Sequence, residues 1–193
     1  MTVATNGERA GSGALSPHLK ELEDESIHIL REVAGQFDKV GLLFSGGKDS
    51  CVVLELALRA FAPATAPIEL LHVDTGHNFP EVLEFRDRVV EKHGLRLRVA
   101  EVQDWIDRGD LQERPDGTRN PLQTVPLVET IAEVGYNAVL GGARRDEERA
   151  HVFAGQGCAV VQIPQLGALA ARVPAAEGVA HGKHALLLSL IHI

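Results

Sequence analysis

The segment "GLLFSGGKDSCVV", residues 41–53, places an apolar run, a Gly-Gly pair, a lysine and an aspartate in close succession. Gly-Gly followed by Lys, between a short apolar run and a helical pattern, is the composition of a phosphate-holding loop. It is not the common nucleoside-triphosphate loop, which reads G-x-x-x-x-G-K-[ST] and uses a hydroxyl after the lysine to hold magnesium. Gly41 stands one residue too far from Lys48, and Asp49 occupies the hydroxyl position.

The surrounding pattern sets the fold class. Val40 to Phe44 is short and apolar throughout, suiting a strand buried on both faces. Behind it, Ser16-Pro17 is a helix start, and Leu22, Leu30, Val33 and Phe37 form a helical stripe ending near Asp38. After the glycine loop, Val52, Val53, Leu56, Ala57, Ala60 and Phe61 recur at helical spacing, stopping before Pro63. Ile68 to Val73 is a second strand, ending in "DTGHNFPE". Asn78 and Pro80 signal a helix start, Val82, Phe85 and Val89 mark its buried face, and Gly94 closes it. Leu95 to Ala100 alternates leucine and valine with arginine, as a strand exposed on one face does. The polar loop "RGDLQERPDGTRNP" precedes a helix from about Leu122 to Gly135, and Ala138 to Leu140 is a further strand running into "GGARRDEE". Strands alternating with helices imply a doubly wound α/β domain, a parallel sheet with helices on both faces.

Bulk properties bound the function. The chain has 193 residues, 45% hydrophobic, enough for one domain with a real core. A net charge of −8 argues against general binding to nucleic acid or anionic membranes. Cys51 and Cys158 are isolated, so neither a disulfide framework nor structural zinc is expected. The opening "MTVATNGERAGSGALSP" lacks a basic start and an apolar core, and no stretch is long enough to span a bilayer. The chain reads as cytoplasmic. Residues 1–15 read as a disordered lead-in and 16–150 as the α/β domain.

In open α/β sheets, ligands bind beyond the carboxyl ends of the strands. Three unusual loops meet there: Ser45-Gly46-Gly47-Lys48-Asp49, Asp74-Thr75-Gly76, and Gly141-Gly142-Ala143-Arg144-Arg145-Asp146-Glu147. Gly46 and Gly47 permit close approach of an anion, the amides of Lys48 to Cys51 point at it, and Lys48 adds a full charge. Asp49 suits capping of that helix, or holding a metal through water. Arg144 and Arg145 suit an anion, the plainer alternative being a solvated charge run with Asp146 and Glu147. Asp74 is either a ligand-side carboxylate or a turn cap. His72 reads as a packed strand residue and His77 as an exposed loop residue.

"SGGKDS" resembles the pyrophosphate-binding loop of the ATP pyrophosphatase superfamily, which cleaves ATP between its α- and β-phosphates. Within it, "LLHVDTGHNFPEVLEFRDR", "RPDGTRNPLQT" and "GGARRDEE" resemble the family of small, ATP-binding subunits (subunit 2) of bacterial sulfate adenylyltransferase, over residues 18–150. The resemblance implies an adenine nucleotide alpha hydrolase-like fold and adenylyl transfer from ATP to sulfate, giving adenylyl sulfate and pyrophosphate. It implies magnesium carried with ATP, and a GTPase large subunit as the partner that drives the step. Carried over, Ser45, Gly46, Gly47, Lys48, Asp49 and Ser50 cradle the β,γ-pyrophosphate. Val73 and Asp74 lie beside the adenosine, and Arg144 and Arg145 face the sulfate and α-phosphate. Lys48, Arg144 and Arg145 would be the catalytic residues.

After Ala150 the pattern departs from that family, which continues with a segment rich in Arg, Lys and aromatics. Here Glu177 is the only acidic residue of the tail and Phe153 its only aromatic, with no period of 2 or 3.6. The expectation is a truncated or frame-shifted chain whose residues 151–193 form a weakly ordered, protease-sensitive tail, in which no secondary structure is read. Such a truncation would keep the nucleotide-binding half of the function and lose turnover. Two other functions compete. A reductase of the same superfamily acts on adenylylated sulfate through a C-terminal E-C-G-x-H cysteine, which neither Cys51 nor Cys158 matches. A non-catalytic nucleotide-binding module needs the phosphate loop but no sulfate site.

Overall fold

Local chemistry sets the element boundaries in the computed structural model, which describes residues 15–142 and 159–162. Helix α1 runs Pro17–Gln36. Ser16 caps it, its hydroxyl oxygen accepting from the Leu19 amide at 3.3 Å, and Pro17 fills the first turn where no amide partner is needed. Strand β1 (Val40–Leu43) leads through the glycine loop into helix α2 (Lys48–Phe61), and strand β2 (Ile68–Asp74) into helix α3 (Pro80–His93). Gly94 closes α3 at φ +60°, a left-handed cap that costs glycine nothing. Strand β3 (Arg96–Glu101), helix α4 (Val102–Arg108), a 3-10 turn (Asn120–Leu122), helix α5 (Thr124–Val134) and strand β4 (Ala138–Gly141) follow.

Among the described residues all strand pairings are parallel, and with Ala159–Gln162 as strand β5 the order is β3-β2-β1-β4-β5. The chain winds outward from β1 through β2 to β3, then returns to the opposite side of β1. Helices cover both faces, so the doubly wound parallel sheet is as the sequence implies. On one face Val40, Leu42, Phe44, Ile68, Leu70, Ala138 and Leu140 pack against α1, α2 and α3. On the other, Leu71 and Val139 meet Leu127 and Ile131 of α5. Alternate residues of β1, β2 and β4 thus serve two different cores, which is why these strands read as continuous apolar runs.

Four readings of the sequence change. No secondary structure was read in the tail, and the backbone of Ala159–Gln162 forms strand β5, registered against β4 from Ala138↔Ala159 to Gly141↔Gln162. Two adjacent valines suit a short sheet strand, but four residues are too few to show a period. Other residues of 151–193 lie outside the described ones, as do 1–14. Helix α4 was not read in the sequence, where the polar loop begins at Arg108; it is only seven residues long and its apolar pattern is brief. The face of α3 marked by Val82, Phe85 and Val89 is half-buried, and no α3 residue is fully buried. That helix packs Phe85 against Phe44 and Val82 against Gly46, past the end of β1. Asn78 does not cap α3; Phe79 holds that position, with no side-chain capping bond. Among the described residues no helix is long and apolar enough to cross a membrane.

Candidate functional site

The reversal of winding places a crevice between the carboxyl ends of β1 and β4, the topological position where open α/β sheets take ligands. Leu42 is level with Leu140, so the loop after β1 and the Gly141-Gly142 pair at the end of β4 open into the same space. On the other side, Leu43 is level with Leu71, which brings Ser45 alongside Val73 and Asp74. The structure therefore gathers Ser45, Gly46, Gly47, Lys48, Asp49, Ser50, Val73 and Asp74 at one end of the sheet. Arg144 and Arg145 lie outside the described residues.

The loop from Ser45 to Ser50 is held by its own polar groups. The Gly47 amide donates to Ser45 Oγ at 3.3 Å, and the Ser50 hydroxyl donates to the Gly47 carbonyl at 2.9 Å. Cys51 Sγ lies 3.6 Å from the Gly46 carbonyl. Gly46 sits at φ +74°, and a Cβ there would come within 2.8 Å of Val82 on α3. Both facts require glycine: the loop is pressed against α3 in a left-handed conformation. Helix α2 begins at Lys48 with no side-chain cap, which leaves its first amides facing outward with the positive end of the helix dipole. Lys48 is exposed beside them. The capping role read for Asp49 is absent, because Gly47 takes the cap position. Instead Asp49 Oδ1 is buried without a partner among the described residues. A buried orphan carboxylate oxygen is costly, and a hydrated cation is a partner of the right charge.

Asp74 acts as a turn cap, its Oδ1 accepting from the Gly76 amide at 2.7 Å and from Asn78 Nδ2 at 3.0 Å. Asn78 Nδ2 also lies 3.3 Å from His72 Nε2, while His72 Nδ1 is 2.8 Å from the Phe44 carbonyl. A carbonyl only accepts, so Nδ1 carries the proton and Nε2 accepts from Asn78. His72 is buried as the sequence implies, at 2% exposure, and that burial holds its pKa below 6.5, with the nearby Arg86 acting in the same direction. The Phe44 carbonyl, Asp74 and Asp87 oppose this less strongly. Arg86 itself donates from Nε to Asp87 and buries Nη1 without a partner among the described residues. His77 is exposed.

A pH dependence follows. Since His72 titrates lower folded than unfolded, the unfolded chain takes up the proton first and stability is lost as pH falls below about 6.5. One group contributes at most about 1.4 kcal/mol per pH unit. Urea midpoints of the parent and His72→Gln, compared at about pH 7.5 and about pH 5, should converge at the lower pH. A constant gap between the two proteins removes His72 as the source.

Sequence reading missed Arg119. Its Nη1 donates to the Thr75 carbonyl at 3.1 Å, and its Nε and Nη2 donate to one oxygen of Glu113 at 2.9 and 2.8 Å. The only signal was an arginine inside a polar loop.

The sequence profile of the "Phosphoadenosine phosphosulfate reductase domain" family matches residues 39–153. A protein of Streptomyces lavendulae named "Sulfate adenylyltransferase subunit 2" is 64% identical over 146 residues, which cover 76% of this chain and 45% of the relative. The chain thus spans about half the length of the curated relatives it matches. Among solved structures, a phosphoadenylyl-sulfate (PAPS) reductase from Candida auris superimposes with a TM-score of 0.55 at 23% identity, over 79% of this chain and 81% of the reductase. An NH3-dependent NAD synthetase from Campylobacter jejuni gives a TM-score of 0.55 at 18% identity, over 78% and 68%. At these identities the superpositions speak for the fold alone. With its profile match running from the start of β1 past the end of β4, the chain belongs to the phosphoadenosine phosphosulfate reductase domain family.

Proposed function

We propose that the chain is the ATP-binding part of a sulfate adenylyltransferase, forming adenylyl sulfate and pyrophosphate from ATP and sulfate. The observation that carries this reading is the 64% identity to a protein of that name, over 146 residues or 76% of this chain. Its subunit designation supports a multi-subunit enzyme, and the partner proposed is the GTPase large subunit.

A sulfate oxygen forms the new bond to the α-phosphorus, and the bond from that phosphorus to the α,β-bridging oxygen breaks, releasing pyrophosphate. Both reactants are anions. Each pair of unit charges about 4 Å apart repels by about 1 kcal/mol in water and about 4 kcal/mol near a protein surface. Fixed positive charge is therefore what the reaction needs. Lys48 and the first amides of α2 suit the leaving pyrophosphate, with Ser45, Gly46, Gly47 and Ser50 shaping the cradle. Val73 and Asp74 would border the adenosine. The orphan Oδ1 of Asp49 suits a water of the magnesium that ATP carries. Arg144 and Arg145 would hold sulfate, whose tetrahedral oxygens accept pairs of parallel guanidinium bonds. Sulfate is already ionised, so no general base is required.

The test is exchange of labelled pyrophosphate into ATP by the chain assembled with the GTPase subunit. Exchange should require sulfate. Sulfate-independent nucleotide binding without exchange would instead mark a non-catalytic module. The family's name favours a second reading, reduction of adenylylated sulfate, which thiol-dependent sulfite release would reveal. Cys51 is poorly suited to that chemistry, since burial pushes its thiol up to about 11. Replacing Arg144 and Arg145 with Gln should raise the sulfate requirement about tenfold or more while the ATP requirement moves little. Equal losses for both substrates would exclude a sulfate role.

A further inference from the structure

We propose that Arg119 is a positioning residue that locks the Asp74–Asn78 turn against the nucleoside, and this rests on the nucleotide reading above. The turn carries little apolar packing of its own: Gly76 and His77 are exposed, and only Thr75 is fully buried. Among the described residues its other side-chain and loop hydrogen bonds are made within residues 72–78, by Asp74, Thr75 and Asn78. Arg119 supplies the bond from elsewhere in the chain, 44 residues away, by donating to the Thr75 carbonyl.

The arrangement is built for that contact. The Arg119 side chain is only 13% exposed, and Glu113 receives Nε and Nη2 on one oxygen, which fixes the plane of the guanidinium. Nη1 is thereby aimed at the turn. A Cβ on Gly76 would stand 2.9 Å from this nitrogen, and Gly76 is at φ +75°, so a side chain there would be strained and would displace the guanidinium. The loop that carries Arg119 is itself preformed. Asp116 Oδ1 accepts from the Thr118 amide at 3.0 Å and from its hydroxyl at 2.7 Å, and these bonds hold the carboxyl below its ordinary range. Releasing Arg119 should free the turn while leaving the phosphate loop, which is held by other groups, in place.

The two halves of the ligand separate this role from a general defect. Calorimetric titration of the full chain with ATP, AMP and inorganic pyrophosphate is the measurement. In Arg119→Ala, dissociation constants for ATP and AMP should rise about tenfold, with pyrophosphate within about twofold. Arg119→Lys keeps a donor for Thr75 but loses the fork on Glu113, so AMP affinity should fall between the two. Unchanged AMP and ATP affinity in Arg119→Ala overturns the proposal, as does an equal loss for all three ligands. A parent chain that binds neither ATP nor pyrophosphate overturns the nucleotide reading itself, and the positioning role with it.

Discussion

Lys48→Ala should weaken the hold on the leaving pyrophosphate by about 2–4 kcal/mol in transition-state terms, which is about 30- to 1,000-fold in the pyrophosphate exchange rate of the assembled enzyme. The reasoning begins with the local backbone. Gly47 caps α2 without a side chain, so the first helical amides and the exposed ammonium of Lys48 face the same space. An amide supplies a partial charge, whereas lysine supplies a whole one, so its loss is the largest single change available to the loop. The lysine is exposed, and the fold should change by no more than about 0.5 kcal/mol. ATP and pyrophosphate titrations beside a urea melt check both parts. Unchanged affinity in a folded variant would remove Lys48 from the site.

Phe44→Ala should do the reverse, striking stability first. Phe44 is 1% exposed at the end of β1, packed with its ring centroid 6.4 Å from that of Phe85 on α3. Deleting a fully buried phenyl costs about 3–5 kcal/mol, because the transfer energy is lost and a cavity remains. A domain's whole stability is only about 5–15 kcal/mol. Phe44→Leu, closer in volume, should cost about 1.5 kcal/mol or less. The Phe44 carbonyl keeps its bond to His72 in both variants, so the difference in urea midpoint reports the ring. A loss below about 1 kcal/mol for alanine would mean that α3 closes over the gap, and that its contact with Gly46 is looser than the 2.8 Å approach implies.

These contrasts explain what was legible in the sequence. The β1–α2 junction was readable because every local rule agreed: a doubly buried strand, glycines at the turn and helical spacing after them. The helix ends at Gly94 and Gly135 were equally plain, since both take left-handed caps. Strand β5 was hidden by its length. Asn78 misled because the same residue type that caps helices also bonds a neighbouring carboxylate, and only the fold brings Asp74 within 3.0 Å of it. Arg119 was illegible for a related reason. Nothing local in "PDGTRNP" says that its guanidinium reaches a carbonyl 44 residues back. Within the site, the phosphate loop is a sequence-local object, whereas the support of the neighbouring turn is not.

The strand order also governs how the chain assembles. Beside β1, the contact of Phe44 with His72 spans 28 residues, whereas Lys39 and Asn137, at the entry to β1 and β4, are 98 apart. Closing the longer loop costs more chain entropy and is reached later, so the half-sheet β1-β2-β3 is the unit expected to form first. During synthesis that unit would stand with the outer edge of β1 unpaired until residues 138–141 emerge. An unpaired apolar edge is a template for the wrong neighbour. The same β1 edge that later bounds the ligand crevice is thus the place where a nascent chain is most exposed to misassembly.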